Sequence, residues 1–157
     1  MKYVGSTLLA TSILITAVAN AKCGSSSTSD RFSEAEAIVF VEIISARDGS
    51  VPWPYGLKGY SPGKLLTLRV AKSWKGSLHP QDVIDGWTLA RQFEHAYPST
   101  DVGTKIIVFF RKASQHEILC CNSSYPDRLS KTSEELDAII RAGPRTADPN
   151  DRWSGPC

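Results

Sequence analysis

The chain lacks the motifs that mark the commoner catalytic and metal sites. Its three histidines, His79, His95 and His116, are widely separated, and none belongs to a His-x-x-x-His or His-Glu-x-x-His arrangement. No glycine-rich phosphate loop and no nucleophile elbow is present. These absences predict that the protein is not an enzyme and that it uses no cofactor and no metal ion.

The chain also lacks an excess of charge of either sign. Lys and Arg number 18 against 16 Asp and Glu, which gives a formal net charge of +2 with neutral histidines. Nucleic acids and anionic membrane surfaces attract proteins mainly through a large positive charge. The near balance therefore argues against nucleic acid as a partner.

No apolar run is long enough to cross a membrane. The longest, residues 8–19, falls well short of the roughly 20 residues that a spanning helix needs. Lys2 before this run and Ala19-Asn20-Ala21 after it are typical of a cleaved signal peptide. We therefore predict that residues 1–21 are removed, that the mature chain begins at Lys22 without membrane insertion, and that the protein is secreted or periplasmic.

Cysteine is scarce, but all four cysteines lie in the predicted mature chain: Cys23, Cys120, Cys121 and Cys157. An even number in an exported chain predicts two disulfides. Cys120 and Cys121 are adjacent at the end of a predicted strand, so their side chains should point to opposite faces. This disfavours a bond between them and predicts that one pairs with Cys23 and the other with Cys157.

Apolar patterning predicts five strands. In residues 64–74, Leu66, Leu68 and Val70 alternate with more polar residues, and Trp74 adds an apolar anchor before a turn at Lys75-Gly76. The other predicted strands are 38–46, 82–90 with a bulge at Gly86, 105–111 and 116–121.

One convincing helix follows the strands. Residues 132–141 carry an apolar stripe, and Thr132 and Glu135 are spaced as a capping box. Gly143-Pro144 then ends the helix. Together the elements predict a mainly β fold over residues 22–143, a five-stranded OB-type Greek-key barrel with one C-terminal α-helix. The polar tail, 144–157, is expected to be pinned by a disulfide.

The segment between the first two strands, residues 50–63, is rich in proline and glycine and predicts no regular structure. It nevertheless carries Trp53, Tyr55 and Tyr60. These rings either fold back onto the barrel or form a stiff binding loop, since proline lowers the entropy cost of presenting rings to a partner. We take the three aromatic residues as candidate binding residues and leave both interpretations open.

The order of these features resembles the netrin-like domain family, which includes the tissue inhibitors of metalloproteinases and small bacterial exported relatives. The matching pieces, spread over about residues 23–143, are residues 37–41 after an N-terminal cysteine, 68–76 with its Trp-Lys-Gly end, 102–110, and 119–122 with the later cysteine. The resemblance implies an OB-type barrel that binds a protein. The activity it suggests is inhibition of a metalloprotease, with the loop 50–63 extending the contact.

The resemblance also assigns the N-terminal edge, Lys22 and Cys23, to the binding surface. Family inhibitors chelate the protease zinc through an N-terminal Cys-x-Cys; Cys23 matches the second cysteine of that motif, and Ala21 stands where the first would be. The resemblance therefore implies a disulfide between Cys23 and Cys121, which leaves Cys120 to pair with Cys157. The disulfide that holds the chelating cysteine in the family is absent here.

Oligosaccharide binding is the alternative function, because OB-type barrels often bind sugars through the second and third strands and the first loop. Such a face would draw on Lys64, Arg69, Lys72, Lys75, Trp53 and Tyr60. A small hydrolase is a less favoured alternative. Asn122-Ser123-Ser124 forms a glycosylation sequon, which has meaning only in a eukaryotic source.

Overall fold

The structure is a computed structural model that describes residues 27–93 and 95–143. Its elements are α1 (Thr28–Glu34), β1 (Ala37–Pro52), β2 (Tyr60–Lys75), β3 (Val83–Leu89), β4 (Lys105–Phe110) and α2 (Leu129–Ala142). The four strands form one antiparallel sheet in the order β3-β2-β1-β4. The prediction of a mainly β chain with a C-terminal helix is confirmed. The predicted signal peptide and the tail 144–157 lie outside the described residues.

The hairpin of β1 and β2 is longer than the sequence indicates. Each strand has 16 residues, and the pairing continues to Ser50 opposite Pro62 and Pro52 opposite Tyr60. The prediction of no regular structure over 50–63 is therefore wrong at both ends of that segment. A proline lacks only the N–H donor, so it is tolerated near a strand end. The fully buried Val51 also holds the end of β1 against the protein. Three register shifts between residues 38 and 45 bend the hairpin.

The main core lies on the inner face of this bent sheet. Alternate residues of β1, β2 and β4 point into it, so the period-2 prediction for Leu66, Leu68 and Val70 holds. Tyr97 and Ile118 complete the core from outside the strands. Tyr97 belongs to a connection that the sequence marks only as polar; its hydroxyl donates to the carbonyl of Ser124 at 3.2 Å.

The two helices cover the outer face of the sheet. Residues of both helices pack there against Ile38, Ile107 and Phe109. Both faces of β1 are therefore covered, which explains why both faces are apolar. Trp74 lies at the rim of this cluster and not in the inner core. Its Nε1 donates to Asp137 of α2 at 2.7 Å. Trp74 therefore anchors α2 on the sheet.

Residues 116–124, which follow β4, make main-chain hydrogen bonds to both edge strands of the sheet, β3 and β4. On one side, the main chain of Trp87 in β3 donates to His116 at 3.0 Å and accepts from Ile118 at 2.8 Å. On the other side, the main chain of β4 exchanges two bonds of 2.7 and 2.8 Å with residues 122–124. These contacts are isolated bridges, so the described chain has four strands and not a fifth at 116–121.

Gly86 lies where this connecting segment passes β3. The β2–β3 register is regular, so the predicted bulge at Gly86 is wrong. A Cβ at this position would stand 2.8 Å from Leu68 Cδ1 and 3.0 Å from the carbonyl oxygen of His116. Glycine is therefore required because another main-chain segment approaches closely.

Helix α2 begins before the predicted start, at Leu129, so Thr132 and Glu135 lie inside it and do not form a capping box. The buried Thr132 hydroxyl accepts from the Ser124 hydroxyl at 3.2 Å. The Glu135 carboxylate accepts from the Thr28 hydroxyl of α1. Both side chains tie α2 to neighbouring segments.

Candidate functional site

The turn between β1 and β2 is anchored by Trp53. Its ring meets Phe93 edge to face, with centroids 5.5 Å apart. Gly59 lies against the same ring, where a Cβ would come within 3.3 Å of Trp53 Cδ1, and the main-chain N–H of Trp53 donates to Gly59 at 3.2 Å. Of the two interpretations for the predicted binding residues, Trp53 fits the first, since its ring folds back onto the protein.

The same turn exposes three large side chains, which we call the loop edge: Tyr55, Leu57 and Tyr60. Their exposed fractions are 45%, 62% and 73%. Tyr55 has a φ of +61°, in the left-handed region that costs a residue other than glycine about 1–2 kcal/mol, and this turns the chain outward. The sequence identifies Tyr55 and Tyr60 by their rings. Leu57 was missed, although an apolar residue inside a proline- and glycine-rich turn is the signal that marks it.

Tyr55 also brings three connecting segments together. Its ring meets the His95 ring edge to face at 6.0 Å, and the guanidinium of Arg111 lies 5.6 Å from the Tyr55 ring centroid. His95 belongs to the connection after β3, and Arg111 directly follows β4. The loop edge is thus supported by chain segments that are far apart in sequence.

Glu117 is a buried carboxyl beneath Tyr55. Burial raises its pKa, while a hydrogen bond from the main chain of Tyr55 and the positive charges of Arg111 and Lys112 act in the opposite direction. Burial also raises the pKa of the Tyr55 phenol, and the nearby Glu117 charge adds to this. The cavity between these groups and α1 has a volume of about 30 Å³, which is room for a water molecule and not for a substrate.

Cys120 and Cys121 lie next to this cavity. Their Sγ atoms are 3.4 Å apart, beyond the roughly 2.05 Å of a disulfide, so they are not bonded to each other. The predicted pairs Cys23–Cys121 and Cys120–Cys157 stay predictions, because Cys23, Cys157 and the edge residue Lys22 lie outside the described residues.

His95, Cys120 and Cys121 place their side-chain nitrogen and sulfur atoms within 4.8 Å of one another, a spacing compatible with a metal ion. Metal binding requires thiolates, whereas a cysteine in a disulfide has no thiolate to give. The sequence assigns both cysteines to disulfides. The two interpretations exclude each other, and we build no metal site on this cluster.

Several of the six residues expected for sugar binding make contacts within the protein. Lys72 binds Asp137 of α2 at 2.7 Å, and Lys75 donates to the carbonyl of Phe32 in α1 at 2.8 Å. These lysines hold the helices against β2. Trp53 is turned toward Phe93, and Tyr60 alone of the predicted rings on that face is strongly exposed.

Asn122 of the glycosylation sequon is a structural residue. It is buried, its Oδ1 accepts from the main-chain N–H of Leu119 at 2.8 Å, and its Nδ2 donates to the carbonyl of Glu117 at 2.9 Å. A glycan would replace one of the two Nδ2 hydrogens, and at 8% exposure the side chain leaves no room for a sugar in the folded chain. The sequon therefore does not mark a glycosylation site compatible with this fold.

No family model matches the chain, and no curated protein matches it. In the part of the chain that the structure describes, no helix is both long enough and apolar enough to span a membrane. What the loop edge does must therefore follow from its geometry.

Proposed function

We propose that the protein is an exported protein-binding module, an OB-type barrel of the netrin-like kind, and that the loop edge contacts its partner. The observation that carries this proposal is the joint exposure of Tyr55, Leu57 and Tyr60 on one turn. Large apolar side chains that are exposed together mark interaction sites, and tyrosine is enriched among the residues that dominate binding energy.

The hydrogen bonds of residues 116–124 support the barrel. This segment pairs parallel with Trp87 on one outer strand and antiparallel with Val108 on the other. A segment that bonds to both edges of a bent four-stranded sheet takes the place of the fifth strand in a small Greek-key barrel. The inner core, which draws on all of these elements and on Ile118, fits the interior of such a barrel.

The anchoring of the turn supports binding by a preformed surface. Trp53 fixes one end against Phe93, and Pro52 and Pro54 restrict the backbone on either side of it. A turn that is already ordered loses little conformational entropy when it binds. Three side chains exposed on one ordered turn suit contact with a concave partner such as the active-site cleft of a protease.

The partner class that we propose to test first is a metalloprotease, which is the one that the netrin-like resemblance suggests. The mature chain is assayed against a panel of metalloprotease catalytic domains with peptide substrates. We expect at least one protease to be inhibited. Replacing Leu57 or Tyr60 by Ala should weaken that inhibition about tenfold or more, because each removes a large contact at the centre of the interface.

The matched control is Val102→Ala, at the other end of β4 from Arg111. Val102 is as exposed as the loop edge, at 67%, and lies outside it. Circular dichroism checks that all variants remain folded. Inhibition that survives Leu57→Ala and Tyr60→Ala, or that falls equally with Val102→Ala, would contradict binding through the loop edge.

A further inference from the structure

A second concave site lies between α1 and α2, and it does not depend on the loop edge. Its volume is about 690 Å³, within the range of small-molecule sites. We call it the helix groove; its polar lining consists of the hydroxyl residues 27–29 with Arg31, Arg128, Lys131, Thr132 and Glu135.

The helix groove gathers more positive than negative charge. Arg31, Arg128 and Lys131 line it together with one carboxylate, Glu135. That carboxylate is already shared, since it accepts from the Thr28 hydroxyl and lies 3.9 Å from Lys131 Nζ. A second carboxylate, Asp30, accepts from Ser27 at one end of the groove. Two arginines and a lysine outnumber these two carboxylates, which leaves an excess of positive charge.

Arg31 lines both the helix groove and the small cavity beneath Tyr55. Its guanidinium lies 5.1 Å from the ring centroid of Phe109, and its Nε is buried without a hydrogen-bond partner in the described chain. A buried donor without an acceptor costs free energy. Burial lowers the pKa of Arg31; Glu135 acts against this, and the neighbouring Arg128 charge lowers it further. An anion in the groove would offset the repulsion between the Arg31 and Arg128 charges.

We propose that the helix groove binds a ligand through a tetrahedral oxyanion, a phosphate or sulfate group, held by Arg31, Arg128 and Lys131. A guanidinium donates paired hydrogen bonds to such a group, and lysine adds a point charge. The groove is larger than one phosphate, so the remainder of the ligand lies along the hydroxyl residues 27–29.

The test is an NMR titration of the mature chain with inorganic phosphate and, separately, inorganic sulfate, at constant ionic strength. We expect saturable amide shifts confined to residues 27–31 and 128–135. The double variant Arg128→Gln/Lys131→Gln should weaken binding at least about tenfold, because both side chains are exposed donors that the fold does not need. The matched control, Lys105→Gln/Lys112→Gln, removes the same charge elsewhere and should leave the affinity within about twofold.

Arg31→Lys separates geometry from charge, because it keeps the charge but removes Nε and the planar donor pair. We expect it to weaken phosphate binding several-fold. Tighter binding of glucose 6-phosphate than of phosphate would support a phosphorylated ligand of sugar size, and equal binding would support the free oxyanion. Three results would overturn the proposal. They are amide shifts that do not saturate with phosphate, the same shifts with chloride, or an equal loss of phosphate affinity in both double variants.

Discussion

At the scale of single residues, the buried Glu117 makes the stability of the folded chain depend on pH. Its carboxyl is 7% exposed, and burial raises its pKa above the usual value of 4.5. A raised folded-state pKa means that the folded chain holds the proton more tightly than the unfolded chain. The contribution of Glu117 to stability is therefore full below the unfolded pKa and is lost as the pH rises through the folded pKa.

We expect Glu117→Gln to raise the free energy of unfolding at neutral pH and to change it little at pH 4 or below. Gln keeps the acceptor that the main chain of Tyr55 uses, but it never has to carry a buried charge. Urea denaturation of both proteins at a series of pH values measures the effect. A difference that is the same at every pH would show that burial of the charge is not its cause.

At the scale of elements, α2 is held to β2 by a compact set of contacts around Trp74. Asp137 accepts from Trp74 Nε1 at 2.7 Å and from Lys72 Nζ at 2.7 and 2.9 Å. Lys72 Nζ also lies 4.6 Å from the Trp74 ring centroid. The hydrogen bonds from Lys72 and then Trp74 lower the pKa of Asp137, which indicates that they favour its charged form.

Replacement of Trp74 by Ala should lower the free energy of unfolding by about 2–4 kcal/mol, less than a fully buried tryptophan would, because Trp74 lies at the rim of its cluster. Trp74→Phe keeps most of the packing and loses one hydrogen bond to a carboxylate, so we expect the free energy of unfolding to fall by about 1–2 kcal/mol. Chemical denaturation gives both values. Hydrogen exchange should show reduced protection in α2, and unchanged protection there would contradict the anchoring role.

The elements also show what the sequence can predict. Alternation located Leu66, Leu68 and Val70, since a strand with one buried face must alternate. The full lengths of β1 and β2 were hidden because Pro52 and Pro62 usually end strands. Here both prolines stay paired across the hairpin, and the buried Val51 holds this end of β1 against the protein. The loop residues Tyr55 and Tyr60 were found by composition. The inward turn of Trp53 was one of two interpretations left open, because it depends on Phe93 and no local pattern records a contact between distant segments.

For the whole molecule, the barrel proposed above depends on how the closing segment, residues 116–124, passes β3. Apolar patterning predicts a strand at 116–121, but the segment makes isolated bridges and not a ladder, and no local pattern shows that it reaches both edges of the sheet. Gly86 is the position that permits this passage. The space that a side chain would need there is taken by Leu68 and by the main chain of His116.

We expect Gly86→Ala to destabilise the protein by about 2–3 kcal/mol, because the added methyl group must displace either a core leucine or the main chain of the closing segment. Gly103→Ala is the matched control: Gly103 has a φ of +90° and no atom within 4 Å of an added Cβ, so only the backbone preference is lost, about 1 kcal/mol. Urea denaturation compares the two. If Gly86→Ala costs no more than Gly103→Ala, the closing segment does not press against β3 in solution. The inner core would then be open on the side that Ile118 covers, and the proposed barrel would have to be abandoned.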